Sequence, residues 1–466
     1  MSSPPLAPGD VIELTPHDLS LDGGSIARLD SFVIFLDRAL PGERVRARLT
    51  RLKSSFAKAE VLEILAPAGN AAPLYCPHQG TCGGCAWPGL GYAEELSWKE
   101  RHVRESFRRI GCLGKTADKL GKLIPSPRPL GYRNKLEFAF APDADGKVAL
   151  GLKRRGTHHI IPVNDCALAR SSLAAILAFT RRWIRENALS AWDGKKGVLR
   201  HLVVRQPDYA PQGTSQCQVE LIINSAAHDP IRGIVDAFGQ TLQRAVPEVT
   251  SCVLSQRQGR ADLAYGEQIL LSHGDKNIHE RIGHMLLEAP VAAFLQANTP
   301  AAALMHAEVR RLAAPFMRPE STRVWDLYCG VGGIGLFLAD RVLRVHGFES
   351  SREAVACAIR NAARNNLRNC AFTAGDATVL ARRAARIEGA PDLIVTDPPR
   401  AGFSSEMTAL LLELQAKAII AVSCDPASQA RDIARLAEGY QVRHIQPFDF
   451  FPHTPHVENI VLLERR

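Results

Sequence analysis

Cys424 stands in Val422-Ser-Cys-Asp-Pro426, after the apolar run Ala416–Val422. That run reads as a buried parallel strand, and Cys-Asp-Pro marks its carboxyl end. Ligands of open α/β sheets bind at this edge, so a thiol there is a candidate nucleophile. A half-buried structural cysteine is the commoner fate of one cysteine among eleven. A second group, Cys76-x5-Cys82-Gly-Gly-Cys85, has the spacing of a three-thiolate clamp whose glycines permit a tight wrap. Cys166, in Pro162-Val-Asn-Asp-Cys166, is the candidate fourth ligand. Four thiolates suit zinc or an iron–sulfur cluster, and spacing leaves both open. The remaining six (Cys112, Cys217, Cys252, Cys329, Cys357 and Cys370) read as small buried hydrophobes.

Val324-Trp-Asp-Leu-Tyr-Cys-Gly-Val-Gly-Gly-Ile-Gly335 reads as a strand entering a glycine turn and then a helix. Gly330 and its neighbours let the backbone approach a ligand. Glu349 follows Gly330 by nineteen residues, at the end of the next strand, where a carboxylate can accept both hydroxyls of a ribose. The spacing is not Gly-x-Gly-x-x-Gly, and Asp326 precedes the glycines. That charge repels a pyrophosphate and attracts the sulfonium and amino group of S-adenosylmethionine. Asp376, in Ala-Gly-Asp-Ala, either reaches an adenine amino group or caps the following helix. In Asp397-Pro-Pro-Arg400, at the end of the fourth strand, the prolines stiffen the backbone and hold the carboxylate over a cofactor. This loop resembles the Asp/Asn-Pro-Pro-Tyr/Phe loop of methyltransferases acting on planar nitrogen or carbon in nucleic acid.

A chain of 466 residues needs two to four domains to position these groups. Residues 9–66 carry five short strand patterns, Val11–Leu14, Ser25–Leu29, Phe32–Phe35, Arg44–Leu52 and Ala57–Leu65, which suit a small OB-type barrel. Leu40-Pro-Gly-Glu-Arg-Val45 resembles the TRAM domain, an RNA-binding barrel. Ala66–Pro73 is a linker by composition, and a basic helical stretch over about 93–113 follows the cysteines. Residues 67–289 read as a central α+β domain with the cysteine cluster. From 290 to 466, seven strands alternate with helices as in a Rossmann-like methyltransferase. The net charge of +9 is concentrated: Lys99 to Arg155 holds fifteen Lys or Arg against six Asp or Glu, which equals the whole excess. That is the footprint of a polyanion, with nucleic acid favoured over a merely solvated face. No apolar run reaches ~20 residues and the start has no signal-peptide pattern, so a cytoplasmic location with reduced thiols is expected.

Asp326-Leu-Tyr-Cys-Gly-Val-Gly, Thr396-Asp-Pro-Pro-Arg-Ala-Gly402, Val422-Ser-Cys-Asp-Pro426 and Phe450-Phe-Pro-His-Thr-Pro-His-Val-Glu458 occur in order. Together they resemble the RNA uracil-C5 methyltransferases over nearly the whole chain. The resemblance is closest to the bacterial 23S ribosomal RNA branch with a TRAM domain and a [4Fe–4S] cluster. It implies Cys424 as nucleophile and Glu458 as general base. It implies Gln296, Tyr328, Glu349 and Asp397 as S-adenosylmethionine contacts beside Gly330 and Asp376, and a [4Fe–4S] cluster on Cys76, Cys82, Cys85 and Cys166. It suggests a monomer that methylates an unpaired or flipped uridine to 5-methyluridine. The rivals are a tRNA uridine methyltransferase, an inactive RNA-binding homologue and, more distantly, an oxidoreductase. Two departures stand out: Ser-Cys-Asp-Pro replaces the frequent Ser-Cys-Asn-Pro, and Gly332-Gly333 stands where some relatives have Gly-Asn. Asp425 would disfavour a thiolate unless it points away or is paired. His453 and His456 read as loop structure.

Overall fold

Strand β5 (Arg44–Leu52) alternates exposed Arg44, Arg46 and Arg48 with buried Val45, Ala47 and Leu49. This period of two turns one face to a core and sends the arginines to solvent. With β1 (Val11–Leu14), β2 (Asp18–Leu19), β3 (Ser25–Leu29), β4 (Phe32–Leu36) and β6 (Phe56–Ala66) it forms a sheet of order β1-β5-β6-β4-β3-β2. The sheet encloses Leu14, Ile34, Val45, Leu49 and Val61. β2 adds a sixth strand to the five expected; two residues are too few for a compositional signal. Helix α1 (Tyr92–Glu105) is shorter than the expected helix and passes into a π turn, Ser106–Ile110, closed by the Gly111 N–H on the Ser106 carbonyl.

The computed structural model describes residues 6–69, 71–111, 114–143, 145–170, 172–209, 216–224 and 228–466. The signal-peptide reading of the first five residues, the Cys112 assignment and the helix limit near Leu113 lie outside these residues. Two units form. One holds residues 1–102, 153–158 and 451–456; the other holds 103–152, 159–450 and 457–466.

In the second unit a mixed sheet is built from β7 (Lys135–Pro142), β8 (Val148–Lys153), β9 (Ile160–Pro162), β10 (Leu199–Arg205), β11 (Gln218–Asn224), β12 (Ser251–Arg257) and β13 (Gln268–His273). Its order is β13-β12-β11-β10-β7-β8-β9. Helices α2 (Leu173–Glu186) and α3 (His228–Ala245) run between its strands, and Leu173, Ile176 and Leu177 of α2 share a core with Phe138, Leu202 and Leu221 of the sheet. A hairpin follows, β14 (Asn277–Ile282) with β15 (Met285–Pro290). β13 stands at the sheet's edge and has no fully buried position.

After α4 (Thr299–Ala313) comes the second sheet: β16 (Arg323–Leu327), β17 (Arg344–Glu349), β18 (Cys370–Ala374), β19 (Leu393–Thr396), β20 (Ala418–Ser423), β21 (Tyr440–Phe448) and β22 (Glu458–Arg465). The order is β18-β17-β16-β19-β20-β22-β21, parallel except for the last two ladders. Helices α5 (Gly333–Leu338), α6 (Arg352–Arg364), α7 (Ala377–Glu388), α8 (Ser405–Leu414) and α9 (Pro426–Leu436) make the crossovers. β19 and β20 are buried throughout, which is why they read as unbroken apolar runs. Cys217, Cys252, Cys329 and Cys357 are buried as expected. Cys370 corrects the reading: it opens a strand at the sheet's edge and stays half-exposed. Among the described residues no helix is long and apolar enough to cross a membrane.

Candidate active site

β16, β17, β19 and β20 run parallel, so their carboxyl ends meet at one edge. Glu349 closes β17, Tyr328 follows β16, Asp397 follows β19 and Cys424 follows β20. From β16 the sheet grows one way through β17 and β18, then the other way from β19, which puts the topological switch between β16 and β19. β22 runs against β20, so its amino end reaches the same edge. The pairing Val422↔Ile460, Ser423↔Asn459, continued one step, sets Cys424 opposite Glu458.

Gln429, buried on α9, locks this pairing. Its amide donates to the carbonyls of Ala421 at 2.9 Å and Asn459 at 3.2 Å, and its carbonyl accepts from the Asn459 amide at 2.6 Å. Glu458 is 3 % exposed, and its Oε2 has no hydrogen-bond partner among the described residues. A surface acid beside a strand is thereby ruled out. Burial, then the neighbouring Asp397 charge, push the Glu458 carboxyl well up, and burial pushes Asp397 up too. The Cys424 thiol is pushed up to about 11 by burial and by Glu458, against a hydrogen bond from Arg400 that lowers it.

Asp425 does not stand among the leading influences on that thiol. It caps α9, its Oδ1 accepting the N–H groups of Ala427 and Ser428 at 2.9 Å each. The departure from Ser-Cys-Asn-Pro is therefore absorbed by the helix end. Arg400, quoted in the Asp-Pro-Pro loop but given no role from sequence, is the cation that acts on the sulfur. Its position directly after the Pro-Pro pair was the available signal.

The glycine loop is held from below. Asp326, 1 % exposed, accepts the Gly335 N–H at 2.8 Å, and a Cβ at Gly335 would lie 2.7 Å from that oxygen. Burial, helped by Asp397 and Glu349, pushes Asp326 up to about 7. Tyr328 takes φ 64°, a left-handed conformation unusual for a bulky residue, and such strain concentrates at functional sites. Gly330, φ 54°, faces open space, and its N–H donates to Glu349 at 3.2 Å. Glu349 also accepts from Ser350 and from the Ser351 N–H, both at 2.9 Å, so its position is fixed. Asp376 is exposed and caps α7 through the Val379 N–H.

Gln296 reaches the second unit's interior from another direction. Buried Asn134 donates to the Gln296 carbonyl at 2.9 Å and to the Thr299 hydroxyl at 3.0 Å. The Gln296 Oε1 is buried with no partner among the described residues. An unpaired buried acceptor, an open glycine turn and a group of buried carboxyls fit a cationic nucleoside such as S-adenosylmethionine.

The metal-ligand candidates are half-buried. The Cys76 sulfur accepts the His78 N–H at 3.4 Å and the Cys82 sulfur the Gly84 N–H at 3.3 Å, bonds of the kind that stabilise cluster thiolates. Cys85 lies in the same loop and Cys166 in the second unit. Among the described residues, no three His, Cys, Asp or Glu side chains converge as a ready-made metal site. The basic segment is partly committed to structure: Lys99 is fully buried, and Arg155 donates to the Ala86 and Gly23 carbonyls at 2.6 Å each.

The thiol's environment makes a direct prediction. Alkylation of Cys424, read on its peptide by mass spectrometry, should accelerate about tenfold per pH unit from 7 to 9, because thiolate grows tenfold per unit below the thiol pKa. Arg400→Gln should slow it several-fold at each pH. A plateau near pH 8 would contradict the raised thiol.

A Rossmann-like sheet with a nucleoside-binding glycine turn and an Asp-Pro-Pro loop defines an S-adenosylmethionine-dependent methyltransferase. The family model for tRNA (uracil-5-)-methyltransferases matches residues 274–466, and that of the TRAM domain matches residues 5–62. An uncharacterized RNA methyltransferase of Nitratidesulfovibrio vulgaris is 39% identical over 465 residues, covering 99% of this chain and 97% of its own. One of Bacillus cereus is 30% identical over 466 residues, covering 99% and 98%. In fold, the chain is similar to the Pyrococcus abyssi tRNA (uracil-54, C5)-methyltransferase solved with S-adenosyl-L-homocysteine, at TM-score 0.74, 23% identity and 97% and 100% coverage. The chain belongs to the RNA (uracil-5-)-methyltransferase family and carries an amino-terminal TRAM domain.

Proposed function

We propose that the protein methylates C5 of a uridine in 23S ribosomal RNA through a covalent Cys424 adduct. The observation behind this reading is the β20–β22 ladder, which ends at Ser423↔Asn459 with Cys424 and Glu458 next in line, together with the burial of Glu458, whose Oε2 has no hydrogen-bond partner among the described residues. C5 of uracil is a weak nucleophile. Addition of the Cys424 sulfur at C6 places electron density on C5, which takes up the methyl group as S-adenosylhomocysteine leaves; Glu458 then takes the C5 proton, and elimination across C5–C6 returns the thiolate. S-adenosylmethionine supplies the electrophilic methyl group. Gln296, Tyr328, Gly330, Glu349 and Asp397 hold it, with Asp376 at the adenine side. Arg400 favours the thiolate form of Cys424.

The working division is a TRAM barrel over 1–66, a cluster-bearing central domain over 67–289 and a catalytic domain over 290–466. Exposed Arg44 and Arg48 on β5 offer the barrel's phosphate contacts, while Arg46 is paired with Glu13 and Glu63. The target uridine is unpaired or flipped, since a stacked base hides both C5 and C6. Cys76, Cys82, Cys85 and Cys166 hold a [4Fe–4S] cluster in a structural or RNA-positioning role, with zinc as the alternative ion. The protein acts as a cytoplasmic monomer. Purified without oxygen, it should carry about four irons per chain, as Cys₄ clusters do; stoichiometric zinc and no iron would reverse the cluster assignment.

The second reading, tRNA methylation, draws on the family description that matches residues 274–466. Mapping 5-methyluridine in ribosomal and transfer RNA from a deletion strain separates the two. Loss of one rRNA site with tRNA unchanged supports the first, and the converse supports the second.

A further inference from the structure

The segment that carries Gln296 is gripped by buried side chains of the second unit. Asn134, directly before β7, donates through its side chain to the Gln296 carbonyl at 2.9 Å and to the Thr299 hydroxyl at 3.0 Å. Its N–H donates to the Ala297 carbonyl at 2.8 Å, and its own carbonyl accepts the Gln206 N–H at 2.7 Å, which ties it to the end of β10. Arg205, the last residue of β10, donates to the Val291 and Ala293 carbonyls at 2.9 and 2.8 Å. Two neighbouring strands of the central sheet thus hold the backbone from Val291 to Ala297, and every residue involved lies in the one unit.

Behind Asn134 the chain of bonds continues. The Thr299 hydroxyl donates to Glu280 Oε2 at 2.6 Å, which leaves its lone pairs for Asn134. Glu280, fully buried on β14, also accepts the N–H groups of Asp208 at 3.0 Å and Tyr209 at 2.9 Å. On the other side Asn298 caps α4 through the Ala301 N–H and donates to the Ser126 hydroxyl and the Phe450 carbonyl. Between these paired side chains the Gln296 Oε1 is buried with no partner among the described residues. A lone acceptor on a backbone fixed this firmly marks a place kept for a ligand's donor. We infer that Asn134 and Thr299 are positioning residues for Gln296, fixing its backbone from the end of the central sheet so that its side-chain oxygen meets a donor of S-adenosylmethionine. This rests on the reading of Gln296 as a cofactor contact.

The same bonds suit a purely structural joint, and a double-mutant cycle separates the two roles. Calorimetry with S-adenosylmethionine, on folded full-length protein without RNA, gives the affinities. Gln296→Ala should weaken binding about tenfold. Asn134→Ala should weaken it about fivefold, yet cost less than about twofold more when added to Gln296→Ala, because a residue acting only through Gln296 then has nothing left to position. Thr299→Val, close in shape but without the hydroxyl, should weaken binding about fivefold, whereas Thr299→Ser should stay within about twofold of wild type. This second pair carries the test if Asn134→Ala does not fold. Losses that multiply in the double variant, or Thr299→Ser as weak as Thr299→Val, would mark a structural joint and overturn the inference. If Gln296→Ala loses affinity while folded Asn134→Ala and Thr299→Val bind as wild type, the positioning role is wrong and the cofactor contact stands. If Gln296→Ala itself binds as wild type, the cofactor contact fails and the inference fails with it.

Discussion

Cys424→Ala should bind S-adenosylmethionine with wild-type affinity and transfer no methyl group, a loss on the order of 10⁴-fold or more, as for removal of catalytic nucleophiles generally. Cys424 lies beyond the end of β20, and its side chain supports no packing core. The ladder to β22, the Gln429 bracket and the Asp425 cap do not involve the sulfur. The fold and the glycine turn around Gly330 and Glu349 therefore survive the change. Binding is read by calorimetry and turnover by methyl transfer to RNA. Turnover within tenfold of wild type would remove the thiol from the chemistry.

Glu458→Gln should stop the reaction after addition rather than before it. Glutamine keeps the shape and the burial but cannot accept the C5 proton, so the methylated adduct has no route to elimination. General-base removal costs about 10²–10⁴-fold in rate, and here the lost turnover appears as trapped protein–RNA adduct on a denaturing gel. The substitution also removes a carboxyl whose charge raises the Cys424 thiol. Addition at C6 is therefore left unhindered while the last step is blocked. A variant with neither adduct nor lost turnover would exclude Glu458 as the base.

Most of the catalytic sheet was legible in the chain because parallel buried strands leave unbroken apolar runs and their ends carry Gly, Pro and Asp. The position of Cys424 at a strand end follows from that pattern alone. The burial of Glu458 does not: it depends on β22 running antiparallel, a pairing between segments that no local pattern encodes. Arg400 was hidden for a different reason. Its motif explains the stiffness of the loop, and nothing in spacing says which neighbour an arginine will find across the sheet edge. Asp425 looked like an obstacle in sequence and is a helix cap in structure, because a carboxylate at that position satisfies two backbone donors.

The reversal of β22 has a mechanical consequence. Cys424 and Glu458, the proposed nucleophile and base, come next after the last rung of one antiparallel ladder, so their separation cannot drift smoothly. A slip of β22 by one residue would move Glu458 about 3.4 Å and turn it to the opposite face. The pair is thus geared in whole steps. Warming or mild denaturant should reduce the number of competent molecules while each survivor keeps its full rate.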